Sequence, residues 1–183
     1  LFAISESRVD ELLKPLTPSS NPTVAVYAKQ DGIHVRITAK AHDPAKAAAV
    51  IGRVEKEARV LLGESVWGCN EETQEQVTER MLHERGLTLA LAETATRGQL
   101  ALLLTGTADY PDVFKGCLVL PDNPLDAGSV AALAARVAEQ FEADIGLATG
   151  SVATIDTQIP MSDVYIAVAQ PSRGVCVTQI HRS

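Results

Sequence analysis

The sequence is poor in several things, and each shortage excludes a class of protein. No apolar run approaches the roughly 20 residues that a membrane helix needs. The opening L-F-A-I-S-E-S lacks a basic stretch followed by a long apolar core, so it does not read as a signal peptide. It also lacks an initiator Met, which fits a piece of a longer protein. There is no basic surplus: the formal net charge of −7 argues against bulk nucleic-acid binding, which needs cations to displace counterions. Cysteine is scarce. Cys69, Cys117 and Cys176 are odd in number, far apart and never in C-x-x-C spacing, so they read as free, buried thiols of a reducing cytoplasm. His83 and His181 have no carboxylate or cysteine at ligand spacing, so no metal site is expected. His34 and His42 read as solvated. Internal repeats and low-complexity tracts are absent.

What remains is 183 residues, 46% hydrophobic and 21% charged, enough for one large domain or two small ones with buried cores. The first segment, S-E-S-R-V-D-E-L-L-K-P, predicts a short helix capped by Ser5 or Ser7, with Val9, Leu12 and Leu13 on one face and an end before Pro15. T-V-A-V-Y-A-K and I-H-V-R-I-T-A-K alternate around Q-D-G, which predicts a hairpin with Ile33, Val35 and Ile37 on one side. From Asp43 a long helix follows, with Asp43 as cap, Pro44 in the first turn and Gly63 as stop. These elements make a small α+β unit ending near Gly68.

A second unit is predicted from there to the end. Its first helix, E-T-Q-E-Q-V-T-E-R-M-L-H-E-R-G, turns Val77, Met81 and Leu82 inward and stops at Gly86. A buried strand Leu87–Ala92, a helix Gly98–Leu104, a strand K-G-C-L-V-L, a helix capped by Ser129 and three more strands complete it. The alternation predicts a mixed sheet with helices on both faces, a three-layer α/β/α unit. Trp67 reads as core or interface packing.

The polar turn of L-A-L-A-E-T-A-T-R-G joins strand to helix, where α/β proteins place ligands. Thr94 and Thr96 read as turn and helix-cap residues, Glu93 and Arg97 as a local (i, i+4) ion pair. A sharper alternative has Arg97 holding a phosphate against the free amides of the helix start.

These segments resemble the CinA (competence/damage-inducible protein A) family over essentially the whole chain. N-P-T-V-A-V-Y-A-K with V-R-I-T-A-K is similar to that family's KH-like middle domain, placing it at residues 1–68. G-C-N-E-E-T-Q-E-Q-V resembles the entry into its C-terminal domain, here 69–183. A-E-T-A-T-R-G resembles A-E-S-C-T-G-G, F-K-G-C-L-V-L-P-D-N resembles F-x-G-G-x-V-x-Y-S-N, and D-I-G-L-A-T-G with V-Y-I-A-V-A resembles the last segments. The resemblance implies that a molybdopterin-binding-like N-terminal domain, linked to nucleotide pyrophosphatase activity, is absent from this chain. It also implies an amidohydrolase fold that, in active relatives, removes the amide of nicotinamide mononucleotide.

Carried over by position, most of that chemistry fails. The family's nucleophilic serine falls on Thr94, its Cys on Ala95 and its first Gly on Arg97, while Thr96 and Gly98 are kept. The extra methyl of Thr94 restricts its rotamers. Tyr and Ser of Y-S-N fall on Pro121 and Asp122, and Asn123 is kept. The lysine that helps activate the serine falls on Asp126. Thr149 and Gly150 survive from the glycine-rich turn, whose later glycines fall on Ala153 and Thr154. The loop from Asn123 to the next helix is shorter than the family's by about ten residues. Independently of the family, Lys115 cannot substitute as base: parallel strands put it near one sheet edge and Thr94 near the other, roughly 16 Å apart.

The candidate site is therefore Thr94 with Glu93, Thr96, Arg97, Gly98, Asn123, Thr149 and Gly150. Three functions fit, in this order: a non-catalytic domain for homodimerisation or for positioning the missing domain; an amidohydrolase using Thr94; a nucleotide-binding module using Arg97. Asp122 and Asp126 are expected to weaken any nucleotide to the millimolar range, roughly −4 kcal/mol. No cofactor and no nucleic-acid partner is expected, since G-x-x-G is absent from the first unit.

Overall fold

A computed structural model describes residues 1–29, 32–107, 110–152 and 163–180. The chain divides into two units, Leu1–Glu72 and Thr73–Ser183. The predicted Q-D-G turn falls partly, and Ala153, Thr154 and His181 wholly, outside the described residues.

In the first unit, helix α1 (Glu6–Leu13) starts at Ser5, whose side chain accepts from the Arg8 amide. Strands β1 (Thr23–Lys29) and β2 (Gly32–Thr38) pair antiparallel. Helix α2 (Pro44–Leu62) starts at Asp43, with Pro44 in its first turn, and ends at Gly63, whose φ of 57° suits a residue without a side chain. Val54, Ala58 and Leu62 recur every four residues, so one stripe of α2 packs with Val9 and Leu13 of α1 against Val24. Ile33, Val35 and Ile37 join this core from one side of the hairpin, as their alternation predicts. Each fully buried leucine contributes about 2 kcal/mol. Trp67 is half-buried, and its indole Nε1 has no hydrogen-bond partner.

The second unit opens with α3 (Gln74–Arg85), held by a reciprocal cap between Thr73 and Gln76 and stopped by Gly86 at φ 60°. Its inward face differs from expectation. Val77 and Leu82 are buried, but Met81 is 45% exposed and Glu79 is the buried residue instead. Strand β3 (Leu89–Glu93) is buried throughout and lies at the centre of a parallel trio, between β4 (Phe114–Val119) and β5 (Ile145–Ser151). Strands β6 (Val164–Gln170) and β7 (Gly174–Ile180) extend the sheet antiparallel, giving the order β4-β3-β5-β6-β7.

Alternation along the strands divides two cores. Ala90, Ala92, Ala148, Ala167 and Ala169 face Val130, Ala134 and Val137 of α6 (Ala127–Gln140). Leu89, Leu91 and Leu147 face α3, α4 (Gln99–Thr105) and α5 (Tyr110–Val113). The small alanines let α6 lie close to the sheet, and side chains at Gly146 or Gly150 would run into Ala134 or Val130. This is the mixed α/β/α unit expected, with two corrections. On the α3–α5 side the helices cover β3, β4 and β5 but leave Val168 of β6 and Ile180 of β7 exposed. The cap of α6 is Asp126, whose carboxylate accepts from the Ser129 amide at 2.7 Å; Ser129 lies inside the first turn.

Candidate functional site

Because β3, β4 and β5 are parallel, all three deliver their carboxyl ends to one sheet edge. Thr94 follows β3, the Pro121–Asn123 turn follows β4, and Thr149–Ser151 ends β5. Every candidate residue from the sequence therefore comes to this edge. Lys115 lies at the amino end of β4, where its charge acts on Asp144 ahead of β5. The expected separation from Thr94 holds.

The contacts differ from the expected ones. Thr94 is 2% exposed, and its hydroxyl donates to the Thr149 carbonyl at 2.9 Å. The Thr94 amide donates to the same oxygen. The Thr96 hydroxyl meets the Thr149 hydroxyl at 2.9 Å. The two threonines thus stitch the turn to β5 and do not cap α4. That cap is Glu93. Its carboxylate accepts from the amides of Gly98, Leu100 and Ala101 at 3.0, 3.1 and 2.8 Å, and from the Cys117 thiol. Burial raises the Glu93 carboxyl, but hydrogen bonds from Thr96, Ala101, Leu100 and Cys117 outweigh it and hold the group below the usual carboxylate range. In turn, burial first and then the Glu93 charge push the Cys117 thiol up to about 12.

Two expectations fall with this arrangement. Glu93 and Arg97 are not an ion pair, because the carboxylate turns inward onto the helix amides. Nor do those amides wait for a phosphate, since a resident carboxylate already takes three of them. Arg97 reaches outward to Asp122 at 3.0 Å, and its side chain is 75% exposed. Its backbone sits at φ 53°, the left-handed region that favours glycine, at the position where the resembling motif has Gly.

Asp122 is shared. Its other oxygen accepts from Ser151 Oγ at 2.5 Å. The Ser151 hydrogen bond, against some burial and with help from Arg97, lowers the Asp122 carboxyl. Asp126, also lowered by the Ser129 amide it accepts from, is a helix cap in the place of the family's lysine. The exposed Asn123 donates through its backbone amide to Pro121 O. Gly150 provides room for Val130 and Leu125. Ser151 and Cys117 were missed as site residues. Ser151 lies in a turn that was read only for its kept Gly150 and for the glycines lost at Ala153 and Thr154, and no short motif links it to Asp122, 29 residues away. Cys117 could have been found from strand pairing, which places it opposite Leu91. Among the described residues, no three His, Cys, Asp or Glu side chains gather as a metal site. Nor, among the described residues, is any helix long and apolar enough to cross a membrane.

A family model described as "Damage-inducible protein CinA KH domain" matches residues 1–68. A CinA-like protein of Synechococcus sp. is 33% identical, over 93% of this chain and 46% of its own length. The chain belongs to the CinA family. A CinA-like protein of Dictyoglomus turgidum is 32% identical over 90% of the chain and again 46% of its own length, so the chain spans about half the length of these curated relatives. A CinA superfamily crystal structure from Klebsiella pneumoniae shares the fold at a TM-score of 0.53, with 18% identity, over 61% of this chain and 84% of that one.

Proposed function

We propose that this CinA-family chain is non-catalytic, and that its second unit keeps an amidohydrolase framework for homodimerisation and for positioning a nucleotide pyrophosphatase-like domain. One observation carries the reading: the hydroxyl at the nucleophile position is buried, and its proton is held by the Thr149 carbonyl. A hydroxyl attacks only when a base takes its proton. A carbonyl oxygen is no base, Asp126 is spent on its helix, and Lys115 lies across the sheet. The same closure argues against a nucleotide module, because the helix amides are occupied and Arg97 is paired with Asp122.

The test is ammonia release from nicotinamide mononucleotide by the purified chain. Release stays at background, and Thr94→Ser does not raise it because no base is supplied. Turnover abolished by Thr94→Ala would overturn the reading. Ser151→Ala belongs in the same assay, since Ser151 has a carboxylate neighbour; that carboxylate is held ionised by its bonds and is a weak acceptor of a proton. The first unit, without G-x-x-G and in a chain of net charge −7, binds neither single-stranded RNA nor DNA at physiological salt. Micromolar affinity with a steep salt slope contradicts this.

A further inference from the structure

The sheet of the second unit has two edges, β4 and β7, and they are finished differently. At the β4 edge the pairing with β3 skips Lys115, which bulges out of register and is exposed. A bulge and a lysine are the devices that keep a foreign strand off a sheet edge. The β7 edge has neither. Its residues Gly174–Ile180 pair with β6 without interruption, and G-V-C-V-T-Q-I holds no Lys, no Pro and no charge. In an antiparallel ribbon every second residue turns its N–H and C=O away from the strand it pairs with. Among the described residues no backbone hydrogen bond meets those outward groups of β7. Both faces of the strand are open as well. Val175 and Val177, on the α6 side, are 48% and 37% exposed, and Cys176, Thr178 and Ile180 are exposed on the other.

We propose that β7 pairs antiparallel with the β7 of a second copy, joining two sheets into one across a two-fold axis. This rests on the homodimer reading above and names its interface. An unmet row of amides and carbonyls calls for a strand, not for a helix or a small ligand. Charge selects a second copy of the same strand. The chain carries a net charge of −7, so most of its surfaces repel their own copies, whereas uncharged β7 does not. Pairing about the middle residue sets Val177 against its own copy, Cys176 against Thr178 and Gly174 against Ile180, with no like charges opposed. Because the β4 edge is blunted, each copy offers one open edge and assembly closes at two. The strand is about 23 Å long, so the pairing covers less than the roughly 800 Å² per partner of a standard interface. The dimer therefore dissociates on dilution through the micromolar range.

Sedimentation equilibrium of the whole chain, from about 5 μM to about 500 μM, tests this. Wild type passes from monomer to dimer. Cys176→Lys with Thr178→Lys raises the dissociation constant at least tenfold, on the order of the loss expected for like charges set beside the axis. Leu102→Lys with Val119→Lys makes the same change in net charge at exposed apolar residues away from β7 and leaves the constant within about twofold. A dimer that the β7 lysines do not weaken overturns this interface and leaves homodimerisation to another surface. A monomer at every concentration overturns both. Should the β7 variants fail to fold, wild-type amide exchange decides: protection in β7 that rises with concentration supports the pairing, and protection that does not change with concentration refutes it.

Discussion

Glu93 and Glu79 belong to the same unit, and both are buried, yet their surroundings are opposite. Glu93 ends a central strand and faces a helix start, so three amides and a thiol reach it. Glu79 lies mid-helix on α3, where the helix's own amides are consumed and the facing walls are apolar. A carboxylate surrounded by donors closes a site, because it neutralises the groups a ligand would use. One without donors is a cost that the rest of the fold must carry. The sheet edge that resembles a catalytic centre is the satisfied one.

Exchanging these side chains breaks the comparison most strongly. Glu93→Ala strands three amides and destabilises the chain by about 3 kcal/mol, read from urea unfolding. Because the folded Glu93 carboxyl is lowered, its contribution is complete above the unfolded value of about 4.3 and is lost as pH falls through the lower folded value. The difference between wild type and Glu93→Gln should therefore shrink on acidification below that point. A difference constant across the acid range would contradict it. Glu79→Leu, by contrast, removes a buried carboxyl oxygen that has no hydrogen-bond partner and is expected to raise stability by about 1 kcal/mol; a loss of several kcal/mol would show that Glu79 has a protein partner.

Smaller effects sharpen the picture at the satisfied edge. Thr94→Val keeps the shape and removes one buried hydrogen bond, costing about 1 kcal/mol. Cys117, with its thiol pushed up to about 12 beside Glu93, resists iodoacetamide at pH 8 while the exposed Cys176 is alkylated; mass mapping that finds both modified equally would contradict this. Arg97→Ala loses an exposed ion pair, about 0.5 kcal/mol, whereas Arg97→Gly recovers backbone strain of similar size and is near neutral. If the two variants unfold alike, the left-handed backbone at residue 97 carries no strain.

The fold was largely legible in the sequence because its signals are local. Ser5, Asp43, Pro44, Gly63 and Gly86 mark helix ends through bonds spanning a few residues, and the run before Glu93 marks a buried parallel strand. Ser129 misled because Asp126, three residues earlier, is an equally good cap and only the chain's path chooses between them. Met81 misled because helix α3 is so polar that its apolar residues define no clean stripe. At the site, the positions were legible but the bonds were not. Glu93 could point along the turn to Arg97 or inward to the amides, and the choice depends on β4, which brings Cys117 beside it. Ser151 and Asp122 meet only because β4 and β5 flank β3.

The central claim is that the turn after β3 has its donors engaged internally. Titration of the isotope-labelled chain with nicotinamide mononucleotide, following the amide resonances of Gly98, Leu100 and Ala101, tests it most directly. The account predicts three exchange-protected amides that do not move at micromolar nucleotide and show no saturation below the millimolar range. Saturable shifts at micromolar concentration, lost in Arg97→Ala, would contradict it and restore this edge as a working ligand site.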